Sequence, residues 1–331
     1  MSGFTARNKK DWEELEGLLA IAEKKLRRLS ASDVIRLETL YRRVTVQLAQ
    51  VATRTRDHSL HEYLNRLSSR AHAVIYLPPK QSMFAGMIDF ISTGFARLIA
   101  RHWRAHLISL ALLLGGLLLG YIASMNNTVA AYSLLAPGET RTPGATREQL
   151  METLRSGREQ DGGEKFFFAS FLFQHNFRVG LLAMALGIIA GVPTVFLMLY
   201  NGMMLGAFVA VHHMKGIDAE MWAWLLPHGV TELGAIVLCG GMGMVLGNCV
   251  IRPRGFSRLE RLQVEGKDVA RTGIGIGMML VFAAIVESYV RQSYWSTDQR
   301  LAFATATFLF WVLYITWGRI AEKRSQNVPS A

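Results

Sequence analysis

A chain of 331 residues, 51% of them apolar, with a formal charge of +11, has room for a soluble domain and several membrane spans. Uncharged apolar runs at Leu107–Ala123 and Leu301–Gly318 approach the roughly 20 residues that cross a bilayer, which excludes a purely soluble protein. The charge is uneven. Residues 1–104 hold 18 of the 36 Lys and Arg against 10 acids, and 251–272 hold 6 against 3, whereas 125–176 hold 5 against 6. Such asymmetry beside spans is a topology signal, so the expected partner is anionic inner-leaflet lipid and not nucleic acid.

Met1–Asp11 is polar and charged, so no secretory leader is expected. Apolar residues then recur at 3/4 spacing in three sets: Trp12 to Leu29, Leu37 to Val51, and Leu60 to Val74. Each places one stripe on a helix, and the three predict a small cytoplasmic bundle over residues 1–80. Ser30–Asp33 can cap the second helix, and Pro78–Pro79 closes the third. Over 81–104 the apolar face broadens and ends in Arg97, Arg101 and Arg104, the composition of a helix lying among lipid headgroups.

The membrane domain should run over 105–320. Charge places 125–176 outside the cell, and within it Thr146 and Gln149 form a capping-box pattern for a helix running to Gly157. The acidic break Glu159–Glu164 is followed by Phe166–Phe173, an apolar run too short to cross. The basic loop 251–272, with Arg252, Arg254, Arg258 and Arg261, should return to the cytoplasm beside a tail over 321–331. Spans near 106–124, 178–197, 199–213, 223–250, 273–290 and 301–319 satisfy this parity, the third of them short or broken. The fold class is therefore an all-α polytopic membrane bundle of about six spans in the inner (cytoplasmic) membrane, with both termini in the cytoplasm.

Five glycine pairs at i, i+4 spacing stand in the spans: Gly116/Gly120, Gly187/Gly191, Gly202/Gly206, Gly243/Gly247 and Gly273/Gly277. They let helix backbones approach, within one chain in preference to a homodimer. Cys239 and Cys249 lie about 15 Å apart along one predicted helix, too far for a disulfide.

The polar residues of the spans carry the functional signal. Pro227 suits the first turn of a helix, which makes His228 and Glu232 i, i+4 neighbours on one face. Gly229 lies between them. Asn176, Arg178, Thr194 and Asn201 stand in the same tract, and Asn201 before Gly202 suggests a helix break. Polar side chains persist in hydrocarbon only with partners or a task. Glu287, one turn before Arg291, reads as half of an interfacial ion pair, and His212 and His213 as interfacial histidines.

The run FLFQHNFRVGLLAMALGIIAGVPTVFLMLYNGMMLGAF, followed by LLPHGVTELGAIVLCGGMGMVLG, closely resembles the stage II sporulation protein M family. The family pattern falls on Asn176, Gly187, Gly191, Thr194, Asn201, Gly202, Gly206, Pro227, His228, Gly229 and Glu232. The resemblance implies a membrane anchor of the kind the name-giving members provide for peptidoglycan-cutting partners during engulfment. The N-terminal bundle and the long 125–176 segment depart from the short members, so only the membrane core carries over.

Three functions compete. The first is a non-enzymatic scaffold that recruits cell-envelope partners. The alternative is an ion- or proton-coupled transporter using His228 and Glu232. An intramembrane enzyme is disfavoured, because no His-Glu-x-x-His helix or Gly-x-Ser-x-Gly turn is present and neither metal nor cofactor is expected.

Overall fold

The computed structural model describes residues 2–23, 29–54, 57–76, 83–135, 139–155, 174, 176–291 and 294–326. Leu26, Pro78–Pro79, Glu159–Glu164, Phe166–Phe173 and the end of the tail lie outside them. The described residues are helical, with no strand among them, and divide into two compact units, Met1–Gly86 and Met87–Ala331.

The first unit consists of α1 (Ser2–Ala22), α2 (Ala31–Arg54) and α3 (His58–Tyr76). Its core is the three stripes: Trp12, Leu15 and Leu19 meet Leu37, Leu40 and Val44, and Leu64, Leu67 and Ala71 complete it. Leu40 is fully buried in this core and its neighbour Tyr41 only partly so. Ser30 and Asp33 cap α2 reciprocally: the Ser30 amide donates to Asp33 Oδ2 at 2.9 Å and the Asp33 amide to Ser30 Oγ at 3.2 Å.

The unit boundary falls within α4 (Met83–Asp89), after Gly86, and the second unit continues through a π turn at Phe90–Gly94 and α5 (Phe95–Arg101). It continues through α6 (Trp103–Asn126), α7 (Thr128–Leu134), α8 (Arg147–Arg155) and the short apolar α9 (Asn176–Ile188). Four long helices complete it: α10 (Val192–Met214), α11 (Asp218–Ile251), α12 (Arg258–Val286) with a π turn at Glu287–Arg291, and α13 (Thr297–Gln326).

Among the described residues, six helices are long and apolar enough to cross a membrane: Met83–Arg101, α6, α10, α11, α12 and α13. Their outward faces are apolar too, with Leu114 and Leu118 of α6 and Leu309 and Leu313 of α13 all more than half exposed. Bare leucines on every side suit a hydrocarbon solvent and not water.

Residue pairs fix the directions. Leu113 meets Gly202 and Leu117 meets Gly206, so α6 and α10 run parallel. Met198 meets Gly240 and Phe208 meets Trp224, so α11 runs back. α12 is antiparallel to α11, and α13 to α12. One end of the bundle therefore gathers the starts of α6 and α12 and the ends of α11 and α13, and with them most of its arginines. The segment 139–155 packs at the opposite end, where Leu150 and Leu154 join Val211, Ile217 and Met221. Thr146 and Gln149 start α8 with the reciprocal bonds read from the sequence, at 2.8 and 3.2 Å.

Three expectations change. The break between the second and third predicted spans falls at Ala190–Gly191, both left-handed at φ 52° and 74°, and not at Asn201–Gly202. Glycine at a helix end followed by Pro193 in the next first turn is a stop-and-start signal, and it makes α9 the short element and α10 a full span. Pro227 lies inside α11, nine residues after its first residue, and does not open a helix. The apolar face read over 81–104 divides in two: Phe84, Met87, Ile88 and Ile91 stay exposed, whereas Phe95, Leu98 and Ile99 are buried in the bundle. There Tyr314 donates to the Ile91 carbonyl at 2.6 Å, Gly318 abuts Ala96, and Glu322 holds Arg101 at 3.1 Å.

Candidate functional site

α11 starts at Asp218, which puts Glu232 about 21 Å along it at 1.5 Å per residue, inside the bundle. His228 and Glu232 share a face one turn apart. α12 brings Glu287 to the same place. The ligating atoms of His228, Glu232 and Glu287 all lie within 4.8 Å of one another. His228 Nε2 stands 3.9 Å from Glu287 Oε1, and both residues are about 5% exposed. Glu232 is half-buried, and no hydrogen bond or ion pair closes on it among the described residues.

The structure buries Glu287 beside His228, a contact the sequence reading did not foresee; the side chain of Arg291, its expected ion-pair partner, lies outside the described residues. The available signal was distributed: an acid in a span of one helix, and a His–Glu pair in another about 55 positions earlier. Only the antiparallel pairing of α11 with α12 joins them.

Local structure positions the three groups. The Trp224 ring and the His228 imidazole meet at right angles, with centroids 5.7 Å apart and planes at 89°. Trp311 donates to Thr231 Oγ1 at 3.0 Å and ties α13 to α11 beside the site. The π turn begins at Glu287 itself, and Pro227 directly precedes His228. Both irregularities interrupt a regular hydrogen-bond ladder next to a site residue.

The other predicted polar residues serve elsewhere. Thr194 is fully buried and donates to the Ala183 carbonyl at 2.7 Å, stitching α10 to α9 across the Ala190–Gly191 break. Asn201 donates to Leu197 O at 2.8 Å within unbroken α10. Asn176 is half-buried in the first turn of α9. His213 pairs with Asp218 at 2.8 Å, and His212 is buried on Phe208, so neither joins His228.

The glycines paired in the sequence bring backbones together at two seams. A Cβ on Gly116, Gly120, Gly202 or Gly206 would strike backbone across α6 and α10, and one on Gly187, Gly243 or Gly247 would do so between α11 and the α9–α10 turn. Gly191 is needed for its left-handed φ. Gly229, Gly273 and Gly277 make no such approach.

At the basic end Arg97 and Arg101 are held by Glu322, and Arg101 also by Asp268 at 2.8 Å. Arg261 pairs with Glu265 and also lies over Phe256. Arg104 stacks on Trp103, while Arg252, Arg254 and Arg258 stay exposed. His102, Glu265 and Asp268 form a second convergent group, but Arg101 and Arg261 already neutralise its carboxylates. One turn along α6, His106 is 6% exposed, and among the described residues neither its ring nitrogens nor Ser109 Oγ has a hydrogen-bond partner.

Two comparisons carry a family. Residues 2–77 match a domain family of unknown function. No curated protein and no solved structure matches the chain. The sequence pattern of the stage II sporulation protein M family matches residues 109–291, more than half of the chain, and that span contains His228, Glu232 and Glu287. The chain is a polytopic membrane protein that belongs to the stage II sporulation protein M family.

Proposed function

We propose that this protein is a non-enzymatic transporter that moves a cation across the cytoplasmic membrane, exchanging it with protons at His228, Glu232 and Glu287. The observation that carries this reading is the convergence of His228 and Glu232 of α11 with Glu287 of α12, whose ligating atoms all lie within 4.8 Å of one another. Ionisable side chains inside a span persist with partners or a task, and exchange of protons or cations is such a task for this group. Its place within a bundle that has a helix break at Ala190–Gly191 supports the same reading.

Proteoliposomes with an internal pH dye should show cation-driven proton movement that Glu232→Gln or Glu287→Gln lowers at least about tenfold, with protein yield unchanged. Equal flux in both variants would remove the transport reading.

A scaffold that recruits envelope partners is the second reading, favoured by one observation. The N-terminal unit has its own core and leaves Val34, Ile35 and Val46 of α2 exposed at 49%, 66% and 59%. On that reading His228→Ala lowers abundance and partner recruitment together, and an abundant but inactive variant counts against it. The exposed Arg252, Arg254 and Arg258 support contact with anionic lipid and a cytoplasmic position for the basic end.

A further inference from the structure

We infer that a hydrated path enters the bundle at its basic end along His102, His106, Ser109 and Thr272 and carries protons inward; its destination at His228, Glu232 and Glu287 rests on the transport reading.

Two parallel helices build the path. α6 and α12 both begin at the basic end, and each carries polar residues one turn apart on one face. His102 leads to His106, whose amide donates to the His102 carbonyl at 3.3 Å, and Asp268 leads to Thr272. At the mouth the two rows touch. His102 Nε2 is 3.3 Å from Asp268 Oδ2 and 3.8 Å from Glu265 Oε2, and the three side chains are 12%, 17% and 16% exposed. One turn deeper, by about 5–6 Å, His106 is buried and Thr272 fully so, and Ser109 follows, fully buried too.

Unmet hydrogen-bonding capacity decides what fills this row. In either neutral tautomer an imidazole carries one N–H and one lone pair. Among the described residues neither ring nitrogen of His106 has a partner, and neither Ser109 Oγ nor Thr272 Oγ1 has one. Each such group left unsatisfied costs about 1–3 kcal/mol. Helix hydroxyls have a local remedy in the carbonyl one turn back, and Thr305, Thr307 and Thr316 of α13 all take it. Ser109 and Thr272 do not, so their hydroxyls are left for another partner. Water is small enough to serve, since a buried water takes roughly 2–4 polar partners.

α11 makes the room. A Cβ on Gly241 would strike His106 Nδ1 and one on Gly240 would strike Ser109 Oγ, so this Gly-Gly step sets both polar side chains against bare backbone. The charged groups at the mouth are Asp268 with Arg101 and Glu265 with Arg261, both beside His102. Each carboxylate already has its arginine, so the mouth suits proton exchange through His102 better than capture of a cation. The inner end stops short of the site. Gly240 lies eight residues after Glu232 on α11, about 12 Å, and the cluster of Leu113, Met198 and Ile236 packs in that interval. A dry apolar layer of this kind is what a carrier opens when access changes sides.

The test begins with hydration, measured on the purified full chain in lipid nanodiscs. Deuterium replaces the Cε1 hydrogen of an imidazole only where water reaches the ring and protonates it, and mass spectrometry reads each histidine separately. His106 should exchange within about tenfold of His102, and protection of about a hundredfold or more overturns the path.

Proton passage is read in proteoliposomes with an internal pH dye. His106→Gln keeps a hydrogen-bonding side chain that cannot carry a proton, and it should lower proton movement at least about tenfold at an unchanged melting temperature. His106→Ala should regain flux when imidazole is added, which a purely structural role would not allow. Unchanged flux in both variants overturns the proton role, and so does a loss that imidazole does not restore. Rapid exchange at His106 in a wild-type chain that moves no protons overturns the transport reading and leaves the hydrated path standing.

Discussion

Arg141 illustrates how much one side chain can organise. Its guanidinium lies 4.9 Å from the Phe208 ring centroid and 4.8 Å from that of Trp224, while Glu139 grips its far side through two nitrogens at 2.6 and 2.7 Å. Trp224 in turn braces His228, so the 139–155 segment reaches the buried group through a cation–ring contact and a perpendicular ring contact. Burial pushes the Glu139 carboxyl up, but the bonds from Arg141 outweigh it and hold the group below its ordinary value of 4.5. A depressed carboxyl contributes stability above its unfolded pKa, and that contribution is lost as pH falls through the lower, folded value. Trp224 fluorescence should therefore be flat from pH 7 to about 5 and shift below about 4.5, as Glu139 takes up a proton. Arg141→Ala should abolish that acid step and cost on the order of 1–2 kcal/mol in thermal unfolding. An acid transition unchanged in the variant would show that Arg141 is not what holds Glu139. Nothing in the sequence around Arg141 announced this role, because both aromatic partners stand more than 60 positions away.

At the scale of elements, the sequence spoke clearly where the physics is local. The capping pairs Ser30/Asp33 and Thr146/Gln149 satisfy backbone groups three residues apart, so they were readable as strings, as are the same pattern at Ser257/Glu260 and Ser296/Gln299. The glycine pairs were readable as close-approach surfaces, but the partner of each surface was not. Gly202 and Gly206 sit against the carbonyls of Leu113 and Leu117, whereas Gly277 has only Phe177 at 3.8 Å from an added methyl. Gly206→Ala should thus force α6 and α10 apart and cost about 2–4 kcal/mol, while Gly277→Ala should be neutral within about 0.5 kcal/mol. Melting temperatures of the two variants in detergent check this, and equal melting would refute the packing assigned to the α6–α10 seam. Gly191-Val-Pro193 contained the stop-and-start signal of the α9–α10 break. Asn201-Gly202 offered a competing one, and continuous packing of α10 against α6 overrode it.

Over the whole molecule, charge and hydropathy were enough for an all-helical membrane chain, because the cost of unpaired backbone in lipid leaves helices as the simple solution for apolar runs of this length. The arginine-rich end should face the cytoplasm. Cysteines at Phe256 and Ala219, both exposed, should then react with a membrane-impermeant maleimide from opposite sides, Phe256→Cys from within. A cysteine at Gly3 reports on the N-terminal unit. Labelling with Phe256→Cys fits both termini inside, whereas labelling with Ala219→Cys would mean that the Met83–Arg101 helix crosses as well. Reaction of Phe256→Cys from outside would reverse the orientation drawn from charge.

The amphipathic stripes of the first unit, the helical membrane class, the caps and the His228–Glu232 face followed from sequence alone, since each depends on residues within a turn or two of one another. Which backbones the glycines admit, where the apolar tract turns, and the arrival of Glu287 beside His228 were decided by tertiary structure. Those contacts join positions tens of residues apart, and periodicity along a single helix cannot say which neighbouring helix it will face.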